Sequence, residues 1–522
     1  MYKKITSLCF TVILFVFVVI GALQNISLLK EPIENFRSEE TDFSGFIDEV
    51  KDAYTSDDFV NKEHYINLNG LFASVTNRNY YNEVVRLNNG MLTRTDENVI
   101  DFESKANNIS NFSEYLAARG IKFTYVQAPH KADLTGTNFP VALTNTANLN
   151  ADSLLSKLED RSVSTVDLRQ LISYDADAVQ KYFYNTDHHW NNDGAFIAYN
   201  EILKHIKASF PEADVDMSYA DVSNWETVEY ERRFLGSLGK RVGVYYGGVD
   251  TYKLYLPKFD TDMYITLGEK TAIFRSGTFE QTNVLRERYL DGAPDYFGQN
   301  TYCTYIGGDY PMVTHQNLMV DNGLKVMIIK DSFTLPVQAF LSCAIERVDV
   351  IDPRYMESYS IAERVELLQP DIVIMMMNPS VMSDSRYYNF DIDKAKKLAD
   401  VSAPQQVGRI NSLTITAKEE SAFKNSTLFK NLSSGARYVI EIENIEVLSG
   451  DVKAVGIALF DGEIRPCYTH LYINEKGNYC WEFSTPFKKG GELSLLLYAG
   501  EIGQTNGKSI SASGITLYKL TD

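Results

Sequence analysis

Between Ile121 and Ser380 the chain repeats one pattern: a short apolar run, then a stretch with apolar positions every three to four residues. The runs are "IKFTYV" from Ile121, "VSTVDL" from Val163, "KVMII" from Lys325, "RVDVI" from Arg347 and "DIVIMMM" from Asp371. Runs this short and this uniformly apolar predict strands buried on both faces. The periodic stretches Ser153–Leu158, Gly194–Ala208, Leu335–Ser342 and Ser358–Leu368 predict helices, and one more helical stretch ends at Gly120. Strands alternating with helices predict an α/β domain with a parallel sheet covered on both faces. Ligands in such folds bind beyond the carboxyl ends of the strands. Here those ends carry His130 and Lys131, Ser332, Asp352 and Arg354, and Asn378.

The pattern fails in three places. Residues 220–320 are rich in Tyr and Gly and read as an insertion with β structure that caps or walls the sheet edge. After the linker "VSAPQQVG" near Val401 come short alternating runs such as "SLTITAK", "ARYVIEIENIEVL" and "YCWEFSTPF", separated by Gly, Asn and Ser; these predict an all-β sandwich. At the N-terminus, Ile5–Leu23 is an uncharged run of 19 residues. As a helix it would span roughly 29 Å at ~1.5 Å per residue, the thickness of a bilayer's hydrocarbon. Lys3 and Lys4 precede it and Glu31, Glu34, Glu39 and Glu40 follow, which places the rest of the chain outside the cytoplasm. No A-x-A cleavage pattern follows the run, so an uncleaved transmembrane anchor is expected rather than a signal peptide. The expected organisation is an anchor at 1–30, a spacer at 31–60, an α/β domain at 61–400 containing the insertion, and a sandwich at 406–522.

Composition narrows the partners. The net charge of −19 over 522 residues argues against nucleic acid, whose phosphates need cations to neutralise them. The 33 Tyr and 28 Phe suit either sugar-binding surfaces or β-rich cores. In the sandwich, Trp481, Tyr468, Tyr472 and Tyr498 are candidate sugar-stacking rings, with the core as their alternative place. Outside the anchor, which holds Cys9, stand Cys303, Cys343, Cys467 and Cys480. They permit two disulfides, with Cys467 and Cys480 facing across a hairpin, or free buried thiols. Their spacing supports no zinc site.

Two stretches carry chemistry. The first is "YNTDHHWNNDGAF", Tyr184–Phe196, in a chain with seven histidines. Asn191, Asn192 and Asp193 are helix N-cap residues, so Asp187, His188 and His189 sit on the turn entering a helix. From two residues upstream, Asp187 can reach Nδ1 of His189, fix its tautomer and leave Nε2 free as a base. Trp190 can pack over the site. A metal reading of the same residues is weaker, because adjacent histidines seldom bind one ion together and no third ligand motif accompanies them. The second stretch is "KVMIIKDSFTLPVQAFLS", where a strand ends, Ser332 follows in the turn and Pro336 suits the first turn of a helix. Serine there is either a plain helix cap or a nucleophile facing a histidine. The turn follows the logic of a nucleophile elbow without its G-x-S-x-G.

Together, "TDHHW…DGAF" and "IIKDSF" resemble the DHHW family, relatives of the alginate O-acetylation proteins AlgX and AlgJ, which are SGNH-hydrolase-like. The resemblance extends through "YINLNGLFASVTNRN", "TYVQAPHKAD", "RRFLGSLGKRVG" and "YIGGDYPMV" and spans roughly Tyr65 to Asn378. Because the Asp-x-His element precedes the serine, the reverse of ordinary SGNH hydrolases, it implies a circularly permuted SGNH-like fold. It also implies Ser332 as nucleophile, His189 as base and Asp187 as the residue that orients it. Asn378 is the candidate for the family's oxyanion-hole Asn, and His188, Trp190, His130, Lys131, Tyr310 and Arg354 are candidate pocket residues.

The expected activity is extracytoplasmic O-acetyl transfer to a cell-surface polysaccharide through an acetyl-serine intermediate. The family's logic supplies the acetyl group from a membrane-bound O-acyltransferase, and no cofactor or metal is expected. Two alternatives stay open: an acetylesterase using the same three residues, and a non-catalytic carbohydrate-binding surface protein.

Overall fold

The computed structural model describes residues 19–21, 23–38, 40–56, 58–134, 138–141, 143–172, 176–268, 273–356, 360–393, 395, 404–416, 427–434, 436–449, 454–460, 464–465, 469–474, 476–485, 490–498 and 509–521. The expected anchor falls mostly outside these residues, as do Cys9, Cys467 and Tyr468 and the side chains of Tyr472 and Tyr498. Among the described residues, no helix is long and apolar enough to cross a membrane. The stretch read as a spacer holds the helices Lys30–Arg37 and Phe43–Thr55, and a third, Lys62–Val75, follows them.

The α/β domain is built on an eight-stranded sheet. Its strands are β1 (Lys122–Gln127), β2 (Thr165–Asp167), β3 (Met263–Leu267), β4 (Ile273–Gly277), β5 (Met312–Asn317), β6 (Lys325–Lys330), β7 (Arg347–Ile351) and β8 (Ile372–Met377). They lie in the order β2-β1-β8-β6-β7-β5-β3-β4. The first five in that order run parallel, and β5, β3 and β4 extend the edge antiparallel. Every apolar run read from the sequence as a strand is therefore a strand of one sheet. Much of the insertion does not cap that sheet: β3, β4 and β5 lengthen it, while Trp225–Phe234 and Asp250–Pro257 pair as a separate two-stranded ribbon.

The unbroken apolar character of the central strands follows from their two covered faces. In β8, Ile372, Ile374 and Met376 join one core, and Val373, Met375 and Met377 join another. The helices are α1 (Glu103–Ala117), α2 (Ala147–Glu159), α3 (Asn192–Ser209), α4 (Thr334–Leu341) and α5 (Ile361–Leu368). Helices α3 and α4 fill the first core through Phe196, Tyr199, Ile202, Leu335 and Phe340. Helices α1, α2 and α5 fill the second through Phe112, Leu116, Leu154, Val365 and Leu368. Each such fully buried side chain contributes about 1.5–3 kcal/mol of transfer free energy.

The C-terminal strands form two antiparallel sheets, one of five strands and one of four. Tyr438, Ile440, Trp481, Phe483 and Leu517 of the larger meet Leu428, Leu432, Leu459 and Leu493 of the smaller in one core. Trp481, 1% exposed, belongs to that core and is not a sugar-facing ring. Cys303 and Cys343 are free thiols.

Candidate active site

Helices α3 and α4 lie side by side on the same face of the sheet, with Phe196 against Phe340 edge-on at 5.5 Å between ring centroids. The turn before α3 carries Asp187, His188 and His189, and the turn before α4 carries Ser332. Packing the two helices therefore packs the two turns. Asn191 caps α3, its side chain accepting from the Gly194 amide at 3.0 Å. Trp190, fully buried, donates its indole N–H to the Phe333 carbonyl at 3.0 Å and ties one turn to the other.

The side chains meet in a line. Nδ1 of His189 lies 2.5 Å from Oδ1 of Asp187, and Nε2 lies 2.6 Å from Oγ of Ser332. The same carboxylate oxygen accepts the His189 amide at 3.0 Å. Oδ2 of Asp187 accepts the Ser237 amide at 2.6 Å. Asp187 is 2% exposed. Burial pushes its carboxyl up, but His188, His189 and the Ser237 amide more than offset this and hold it well below the usual carboxylate range. His188 keeps 34% of its side chain exposed and places Nδ1 3.2 Å from Oγ of Ser237. Desolvation and the neighbouring His189 lower its pKa, so it is neutral near pH 7.

Asp187, His188 and His189 are also the one group of metal-capable side chains found among the described residues, their ligand atoms within 4.8 Å of one another. Both nitrogens of His189 and both oxygens of Asp187 are already engaged in hydrogen bonds. An ion at Nδ1 would displace the proton shared with the carboxylate.

The turn that carries Ser332 is held from below. Asp331, fully buried, accepts the Phe333 amide at 2.9 Å, the Asn378 amide at 2.6 Å and the Asn378 side-chain N–H at 2.7 Å. Asn378, the expected oxyanion-hole residue, thus gives its backbone amide and one side-chain N–H to Asp331. Arg354 is likewise committed, to Asp352 at 2.6 Å and to Asp309 at 3.0 Å. Lys330 pairs with the same two acids, which closes a buried network of two cations and two anions under the turn.

The remaining candidates lie apart from this line. Lys131 is fully buried and donates to the carbonyls of Leu92 at 2.8 Å and Asn185 at 3.0 Å, and burial lowers its pKa to about 8. It braces the segment leading to Asp187. His130 accepts the Ala132 amide at 3.0 Å on Nδ1, and burial lowers its pKa to about 4. Tyr310 lies beside Arg275, whose guanidinium donates to the carbonyls of Thr282 and Ile306, both at 3.1 Å. None of these three has a hydrogen bond to Ser332 or His189 among the described residues.

Four participants had no signal of their own in the sequence. Gly236 and Ser237 come from "LGSLGK" in the insertion. A Cβ at Gly236 would lie 2.3 Å from Cβ of Asp187 and 2.6 Å from its Oδ2, so only glycine lets the Ser237 amide reach the carboxylate. Asp250, on the ribbon, accepts the amides of Asn185 at 2.7 Å and Thr186 at 2.8 Å and so fixes the backbone just before Asp187. Tyr302 stacks on His189. The motif "LGSLGK" was visible, but nothing local shows that a chain 50 residues downstream closes over Asp187.

Residues 88–244 match the family described as SGNH hydrolase-like domain, acetyltransferase AlgX. That stretch is similar to AlgX. The AlgX-like stretch holds Asp187, His188 and His189, while Ser332 lies beyond its end and is brought to it by the fold. Among solved structures, PatB1 of Bacillus cereus is similar over 57% of this chain and 97% of its own, at 19% identity and a TM-score of 0.48. A DHHW family protein from Eubacterium siraeum is similar over 60% and 98%, at 19% identity and a TM-score of 0.42. AlgX of Pseudomonas aeruginosa is similar over 84% and 95%, at 12% identity and a TM-score of 0.35. No curated protein sequence matches the chain.

Proposed function

We propose that this protein is an O-acetyltransferase that modifies hydroxyls of a polysaccharide through an acetyl-serine intermediate on Ser332. The observation that carries the reading is the contact of His189 Nε2 with Ser332 Oγ, braced by Asp187, in a chain whose residues 88–244 match an acetyltransferase family. Nε2 takes the Ser332 proton as Oγ bonds the acetyl carbon, and the donor's leaving group departs with that proton. A sugar hydroxyl then gives its proton to Nε2 while its oxygen bonds the acetyl carbon. The bond to Oγ breaks, and Ser332 recovers its proton from His189. Asp187, kept ionised at neutral pH, stabilises the imidazolium formed in each half-reaction.

The proposed location is the outer side of a membrane, with the acetyl group supplied by a membrane-bound O-acyltransferase. The apolar run 5–23 behind Lys3 and Lys4 supports the anchoring. So does the helix Lys62–Val75, which leaves Leu68, Leu71, Phe72 and Val75 exposed along one stripe. The residues just before that helix are tied to the end of the apolar run by the bond from the Val60 amide to Asn25, 2.6 Å long.

The test is transfer from p-nitrophenyl acetate to defined oligosaccharides, with mass analysis of the Ser332 peptide. Acetylated sugar and an acetyl-Ser332 peptide, both absent in Ser332→Ala, are expected. Release of acetate with no acetylated sugar would make the protein an esterase. No acetyl on Ser332 under any condition would leave the sugar-binding, non-catalytic reading.

A further inference from the structure

Tyr302 joins the proposed nucleophile and base outside their own hydrogen bond. It lies on the short helical turn Thr301–Thr304 of the insertion and is 2% exposed. Its ring lies nearly parallel to the His189 imidazole, with centroids 3.8 Å apart and planes 15° from parallel. Its hydroxyl donates to the Ser332 carbonyl at 2.9 Å, with a longer contact to the Phe333 carbonyl at 3.4 Å. Tyr184 stands edge-on to the ring, centroids 6.4 Å apart, and holds it in place. Burial keeps the phenol protonated, so it acts as a donor.

The contact has a mechanical consequence. The bond to Cβ and the hydrogen bonds at Nδ1 and Nε2 set the plane of the imidazole, but the two hydrogen bonds tolerate some tilt of that plane. A flat ring against its face removes that freedom. Phe333 and His188 also lie against the imidazole, both tilted to it, with ring centroids 5.0 Å and 3.8 Å from that of His189.

We propose that Tyr302 is a positioning residue for acyl transfer: it holds the plane of His189 against Ser332 and anchors the Ser332 carbonyl. The inference rests on the Ser332–His189 reading above. It concerns a residue that neither the motif pair nor the family match at 88–244 contains.

The test is the rate at which p-nitrophenyl acetate acetylates Ser332 in the full chain, measured for Tyr302→Leu and Tyr302→Phe, alone and combined with His189→Ala. Loss of the face contact in Tyr302→Leu is expected to slow acetylation about tenfold. Tyr302→Phe keeps the ring and is expected to slow it about threefold. In the His189→Ala background Tyr302→Leu is expected to slow it no more than about threefold, as Tyr302→Phe does, because the face contact acts only through His189 while the bond to the Ser332 carbonyl does not. An equal loss in both backgrounds would make Tyr302 merely structural and overturn the inference. An unchanged rate in Tyr302→Leu beside a slowed His189→Ala would overturn it and leave the triad standing. An unchanged rate in His189→Ala would remove the triad and the inference together. Tyr302→Met, which fills the volume without an aromatic face, serves with the same expectations should the Leu variant not fold.

Discussion

The Ser237 amide donates to Oδ2 of Asp187 at 2.6 Å and occupies the carboxylate oxygen that His189 leaves open. Asp187 is thus held on one oxygen by the amide and Nδ1 of His189, from its own turn, and on the other by a segment 50 residues away. These bonds fix the carboxylate's rotation, and with it the axis along which His189 presents Nε2 to Ser332.

Asp187→Asn tests this arrangement. A carboxamide can offer an oxygen to only one of the two sides, and its N–H₂ faces the other. Acetylation of Ser332 is expected to fall by about 10²–10⁴, the range of a lost acid–base contribution. Mass analysis of the Ser332 peptide over time measures it. A fall below about fivefold would remove Asp187 from the machinery.

Gly236→Ala places a methyl group 2.3 Å from Cβ of Asp187, where no side chain can move far. Overpacking of this kind costs about 1–3 kcal/mol, and relief by shifting the backbone breaks the Ser237 bond. Both the unfolding midpoint and Ser332 acetylation are expected to drop. An active enzyme with an unchanged midpoint would mean that Ser237 does not hold Asp187.

Arg354→Met addresses the network under the nucleophile turn. Removing the guanidinium leaves Asp309 and Asp352 with Lys330 alone, an uncompensated buried charge. Breaking such a group costs about 3–5 kcal/mol. The expected result is a large loss in denaturant midpoint, with any substrate-affinity change secondary. Unchanged stability with a raised KM would instead return Arg354 to the substrate pocket.

Acid is expected to unfold the α/β domain in a defined window. Burial lowers the pKa of His130 to about 4 and that of His315 to about 3. The unfolded chain binds protons at these positions below pH ~6.5, while the folded protein does not. Stability should therefore be full above that pH and decline as pH falls, by about 1.4 kcal/mol per pH unit for each such histidine. Asp187, with its depressed pKa, contributes stability above the usual carboxylate range that is lost only at still lower pH. Urea midpoints at pH 7, 6 and 5 measure the slope, and a flat profile would show that both histidines take up protons while folded.

Much of the fold was written in local pattern. The run "DIVIMMM" could only be a strand covered on both faces, and it is one. The N-cap run after Trp190 placed Asp187 and His189 on a turn, which α3 bears out. Other features depended on distant partners. Asn378 and Arg354 stand at strand ends as a pocket would require, yet both bond buried acids, because an acid under a sheet must be paired or hydrogen-bonded. Trp481 had the composition of a sugar platform and was claimed by the core.

The sequence by itself determined the parallel strands, the turn that pairs Asp187 with His189, and the serine at the end of β6, because each follows from periodicity or spacing within a few residues. Only the tertiary structure decided that Ser332 meets His189, that Gly236 and Ser237 close over Asp187, and that Tyr302 faces the imidazole. Those contacts join segments 30 to 143 residues apart, and no local pattern encodes which distant backbone will fill a given hydrogen-bonding position; the packing of α3 on α4 and the path of the insertion do.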